Sequence, residues 1–107
     1  MAIVAIDFDG VLDDGRIQAL AKKLRKENNE IWIVTMRSDN DFNKGVLKPV
    51  LNKLGLTEHN VIFCNEKPKM EMIQMLNADI YIDNISDEFE EISNHTNTIP
   101  LLWCSQS

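Results

Sequence analysis

A chain of 107 residues, 44% apolar and 26% charged, has the size and composition of one folded domain and is too short for two ordinary ones. Its formal charge of -6, with no Lys/Arg run suited to neutralising many phosphates, argues against broad, non-specific binding to nucleic acid or anionic lipid. No run approaches membrane-spanning length, and the apolar start is cut at Asp7 without the basic flank of a leader, so the expected setting is cytoplasmic, with no membrane partner.

In chain order, short continuous apolar runs alternate with helix-period segments. Ala2 to Ile6 reads as the first strand, and Arg16 to Glu27 as a helix with Ile17, Leu20, Ala21 and Leu24 on one face. Ile31 to Val34 is the second strand. Val46 to Leu54 is the second helix, with Pro49 near its first turn and Gly55 past its end, or else a longer helix from about Asp41 kinked at Pro49. Val61 to Cys64 is the third strand, and Pro68 opens a third helix with Met72, Ile73 and Leu76 inward. Ile80 to Ile82, a short helix from Ser86 to about Ser93, and Ile99 to Trp103 complete the pattern. Continuous apolar strands suit a parallel sheet covered on both faces. The expected fold is therefore α/β, three-layered and Rossmann-like, with a five-stranded, mainly parallel sheet in a single domain over residues 1–107. Cys64 and Cys104 lack metal or disulfide spacing and read as buried thiols.

In open parallel sheets the working groups collect beyond the carboxyl ends of the strands. There the sequence places Asp7, Asp9 and Gly10 after strand one, and Thr35, Met36 and Arg37 after strand two. Lys67 and Lys69 follow strand three, and Asp83, Asn84 and Asp87 follow strand four. Asp7 and Asp9, one residue apart, put two carboxylates on one side of the crevice while Phe8 packs away. Such a pair repels itself unless a cation joins it, and Mg2+ prefers these oxygen donors and bridges them to phosphate. Gly10 allows a tight bend and leaves backbone N–H groups to face an anion. The spacing serves a two-step phosphoryl transfer: Asp7 as nucleophile, Asp9 as acid and base, Thr35 and Lys69 or Lys67 on the phosphoryl oxygens, and Asp83 completing the metal site. Asp13 and Asp14 read as turn and cap residues before the first helix.

The succession "DFDGV" (Asp7 to Val11), "IVT" (Ile33 to Thr35), a lysine opening a helix, and "YIDN" (Tyr81 to Asn84) resembles the haloacid dehalogenase-like superfamily, over nearly the whole chain. Asp at the second acidic position resembles its phosphatase branch. The resemblance implies a Mg2+-dependent phosphohydrolase, with Asp7 and Asp83 as side-chain ligands and the Asp9 carbonyl as another. Asn84 stands where the family often has a second acid, so that ligand is lost, water-mediated, or supplied by Asp87. Lys67 precedes a proline as in many members, while Lys69 better fits the capless, nucleotidase-like pattern and is favoured. No segment is long enough for a cap domain, so the site is expected to be open unless a second subunit covers it. Thr35-Met36-Arg37 resembles the Thr-x-Arg of nucleotidase and polynucleotide-phosphatase members, with Arg37 gripping a second phosphate or a base. The implied substrate is a small phosphorylated molecule or a nucleic-acid terminal phosphate. Two other classes compete: a phospho-acceptor module of the receiver kind, and a non-catalytic binding member.

Overall fold

Apolar runs rich in Ile and Val, too short to make helices, become five strands: β1 (Ile3–Ile6), β2 (Glu30–Thr35), β3 (Val61–Phe63), β4 (Ile80–Asp83) and β5 (Ile99–Leu102). The computed structural model describes residues 1–104 and pairs these strands, all parallel, in the order β3-β2-β1-β4-β5. Four helices cover the sheet: α1 (Gly15–Lys26), α2 (Asp41–Leu54), α3 (Met70–Leu76) and α4 (Phe89–His95). Alternation along each strand sends side chains to opposite faces. Val4, Ile6, Ile31 and Ile33 meet Ile17 and Ala21 of α1 and Leu47, Leu51 and Leu54 of α2 on one face. Ala5, Val34 and Tyr81 meet Ile73 of α3 and Ile92 of α4 on the other. The expected α/β, Rossmann-like architecture is the observed one, and the sheet is wholly parallel.

Helix boundaries follow local chemistry. Asp14 caps α1 by accepting from the Arg16 N–H at 2.8 Å, and Asn40 caps α2 by accepting from the Asn43 N–H at 2.8 Å. The second helix thus takes its longer alternative, from Asp41, with Pro49 inside it. Proline there deprives the Gly45 carbonyl of its helical donor. Burial of Leu47, Leu51 and Leu54 outweighs that loss. Gly55 ends the helix at φ +69°, and a Cβ there would lie 2.8 Å from Arg25 Nη1, which donates to the Leu54 carbonyl and ties α1 to α2.

Other expectations are corrected. The third helix starts at Met70, not at Pro68, and the fourth runs from Phe89 to His95 rather than from Ser86. β5 is an edge strand whose Ile99, Leu101 and Leu102 remain 61%, 45% and 53% exposed, so its apolar run is not covered on both faces. Pro100, without an N–H, suits that edge position. Cys64 is buried, but Cys104 lies past β5 and is exposed. Among the described residues no helix is long and apolar enough to cross a membrane.

Candidate active site

The strand order reverses between β1 and β4, which makes their carboxyl ends the topological switch point of the sheet. Ile6 stands beside Ile82, and the Asp7 N–H donates to the Ile82 carbonyl at 2.9 Å. Asp7 and Asp83, the next residues of each strand, are therefore neighbours at the floor of a cleft of about 540 Å³. Both are buried, as is Lys69, only 4% exposed, which enters from the residue preceding α3. Its Nζ donates to Asp7 Oδ1 at 2.5 Å and Tyr81 Oη at 3.0 Å, and lies 3.4 Å from Asp83 Oδ2. The Tyr81 hydroxyl donates to the same Asp83 oxygen, while Asp83 Oδ1 accepts from the Ile85 N–H at 3.1 Å.

This network pairs two carboxylates with one ammonium. Burial is the largest influence on Asp7 and pushes its carboxyl up to about 6, opposed by the charge and hydrogen bond of Lys69 and reinforced by Asp83. Burial also pushes the Tyr81 phenol up, with Asp83 adding to the effect, so Tyr81 acts as a neutral donor. Tyr81→Phe is expected to cost about 2 kcal/mol, the scale of a hydrogen bond to a charged group, because Asp83 Oδ2 keeps only the longer contact to Lys69. A urea titration of the variant measures this.

Asp9 lines the cleft higher up, with its side chain 53% exposed. Arg37 grips it with both ends of its fork, Nε to Oδ2 at 3.0 Å and Nη2 to Oδ1 at 2.8 Å, and donates its remaining nitrogen, Nη1, to Asn43 Oδ1 at 2.8 Å. The guanidinium also sits 5.9 Å from the Phe8 ring centre. Arg37 is thus bound within the protein rather than presented to a second phosphate. Gly10 turns the chain at φ +80°, and a Cβ there would collide with the Asn84 amide. Its N–H is not left for an anion, because Asp13 Oδ2 accepts it at 3.1 Å.

Of the other expected residues, Met36 lines the cleft and is 39% exposed. Thr35 does not line it. Fully buried at the end of β2, its hydroxyl accepts from the Arg37 N–H at 3.2 Å and turns the chain toward Asp9. Lys67 is exposed and off the cleft, since α3 begins after it and only Lys69 is carried under the strand ends. Asn84 and Asp87 both line the cleft.

Two participants escaped the sequence reading. Tyr81 was legible in principle, because two-residue spacing in a strand puts it on the face of Asp83. Glu88 had no local signal. It accepts from the Lys69 N–H at 2.9 Å and the Met70 N–H at 3.0 Å, filling the amide end of α3 from 19 residues away and fixing where Lys69 emerges. The loop carrying Lys69 is also tied to the loop after β2, the Glu66 N–H donating to the Met36 carbonyl at 2.7 Å. Glu66 holds φ +66° and is exposed, so Glu66→Gly is expected to raise stability by about 1 kcal/mol, read as a higher melting temperature.

The sequence matches no protein-family model and no curated protein. Among solved structures it is similar to one titled as a "putative NADPH:quinone reductase" from Bacillus thuringiensis, with 20% identity and a TM-score of 0.57 over 92% of this chain. The chain spans 27% of the length of that protein's chain. At this identity the likeness is one of fold: a Rossmann-like α/β sheet.

Proposed function

We propose that the chain is a Mg2+-dependent phosphomonoester hydrolase working through an aspartyl-phosphate on Asp7. The observation that carries the reading is the buried Lys69 ammonium set between Asp7 and Asp83 at the switch point, with Asp9 above them in an open cleft. The motif order resembling haloacid dehalogenase-like phosphatases supports the same assignment.

The donor set fits Mg2+. Asp7 and Asp83 are hard oxygen donors whose two charges one lysine does not balance, and among the described residues Asp7 Oδ2 accepts no hydrogen bond. Among the described residues no three His, Cys, Asp or Glu side chains form a metal-holding group. The ion would thus be held by Asp7, Asp83 and the Asp9 carbonyl, with water and phosphate oxygens completing the shell, the mode Mg2+ commonly adopts. When bound it supplies positive charge to the transferring phosphoryl oxygens.

In the first step Asp7 Oδ2 attacks phosphorus and the ester P–O bond breaks. The departing oxygen takes a proton from the Asp9 carboxyl, which carries it on one oxygen after releasing one of its two Arg37 contacts, leaving an acyl phosphate on Asp7. In the second, the Asp9 carboxylate takes a proton from water, whose oxygen attacks phosphorus. The bond to Asp7 breaks and inorganic phosphate leaves. Lys69 orients Asp7 and balances charge on the phosphoryl group. Arg37 holds Asp9 over the site, and Thr35 acts through the turn that delivers Arg37.

Turnover of 4-nitrophenyl phosphate by the purified chain with Mg2+, lost on chelation, is the expected result. No hydrolysis of any phosphomonoester would reject the proposal. The receiver alternative loses support from strand order, since receivers follow 2-1-3-4-5 and β3 here is at the sheet edge. The likeness to a protein titled as a reductase transfers no cofactor. The turn after β1 carries two carboxylates and a single glycine, where a bound pyrophosphate would meet a glycine-rich turn.

A further inference from the structure

Resting on the phosphatase reading, we infer that the cleft selects esters bearing one phosphate on an uncharged, partly apolar leaving group and rejects substrates bearing a second phosphate. The cations decide this. Among the described residues, Lys69 is the one Lys or Arg lining the cleft, and it is already shared by two carboxylates on the floor. Arg37, the residue best suited to a second phosphate, spends Nε and Nη2 on Asp9 and Nη1 on Asn43. Lys67 is exposed and does not line the cleft. Above the floor the charged lining groups are Asp9, whose charge Arg37 balances, and Asp87 and Glu88, which no Lys or Arg pairs among the described residues. A second phosphate would therefore sit among like charges with no counter-charge, which is a repulsive device for specificity.

The apolar groups lie where the leaving group would rest. β2 and β4 are the two neighbours of β1, so Met36 after β2 and Ile85 after β4 flank the phosphate position from both sides. Both are open to solvent, Met36 at 39% and Ile85 at 57%. A sugar, nucleoside or aryl group leaving from Asp7 would cover them. An oligonucleotide end brings its next phosphodiester into the acidic rim, so a nucleic-acid terminal phosphate fits this cleft less well than a mononucleotide or another small monoester.

The test compares kcat/KM with Mg2+ for 4-nitrophenyl phosphate, adenosine 5'-monophosphate, adenosine 3',5'-bisphosphate and a 5'-phosphorylated oligonucleotide, at low salt and at roughly 0.5 M salt. The two monophosphates should exceed the other two by roughly tenfold or more at low salt, and screening should shrink the gap. Ile85→Arg, a change at a solvent-exposed side chain, should shrink it too, by raising use of the bisphosphate while lowering use of the aryl phosphate. Equal or better use of the bisphosphate or the oligonucleotide by the unaltered chain would overturn the specificity while leaving the phosphatase reading intact. Turnover of none of the four would overturn both. Because the salt comparison uses the unaltered chain, it decides the matter even if the arginine variant does not fold.

Discussion

Asp7→Asn is expected to abolish turnover, by about a thousandfold or more, and to make the chain more stable. The amide keeps the shape and a hydrogen bond to Lys69 but cannot attack phosphorus, so the acyl phosphate does not form. The stability gain comes from the burial that pushes the Asp7 carboxyl up to about 6. In the unfolded chain the same carboxyl titrates near its ordinary value of about 3.9. Below about pH 4 both states hold the proton and the shift costs nothing. Between about pH 4 and 6 only the native state holds it, so stability falls as pH rises, and above that range the full penalty, about 3 kcal/mol, is in force. In metal-free buffer the asparagine variant should therefore melt higher than the unaltered chain at pH 7 and converge with it near pH 4. A variant that melts lower at pH 7 would mean that attraction to Lys69 outweighs burial at Asp7. The expected pattern is that of a residue retained for activity at the expense of stability.

Removing the cation should do the opposite. Lys69→Met retains most of the volume but leaves the carboxylates of Asp7 and Asp83 facing each other in a buried site, with the Tyr81 hydroxyl and the Ile85 N–H as the remaining donors to Asp83. Breaking a buried pair from one side costs about 3–5 kcal/mol because the surviving charges stay desolvated. The midpoint of urea unfolding at pH 7.5 should drop accordingly, and lowering the pH should restore part of the loss as the carboxylates take up protons. Asp83→Asn in the Lys69→Met background should recover part of it as well, and the double-mutant cycle gives the coupling. A loss under about 1 kcal/mol would mean that the two acids share a proton and need no lysine.

Both predictions concern residues that were legible one at a time. Asp7, Asp9, Lys69 and Asp83 stand out because each is a charge at the end of an apolar run or the start of a helix, and all four follow strands at the same end of the sheet. Their partners were not legible. Arg37 was assigned to a substrate because a planar fork near a phosphate site invites that role, yet each of its three nitrogens already donates to a carboxylate 28 residues earlier or an amide six residues later. The Gly10 N–H was assigned to an anion, and Asp13, three residues on, accepts it. In each case a nearby acceptor within the protein took the donor.

From the sequence alone came the alternation of apolar strands with amphipathic helices, hence the layered α/β fold, because burial on both faces of a parallel sheet leaves its mark in every run. The same reading collected the acids and the lysine at one end of that sheet. Which strand lies beside which was decided only in three dimensions. The order β3-β2-β1-β4-β5 makes Asp7 and Asp83 neighbours, lowers Lys69 rather than Lys67 between them, and leaves the apolar β5 at an edge. Hydrogen-bond partners far apart in sequence, such as Glu88 with the start of α3, depend on that pairing and carry no periodic signal. A side chain's neighbours across the sheet are set by strand order and register, and neither is written in the spacing of any single segment.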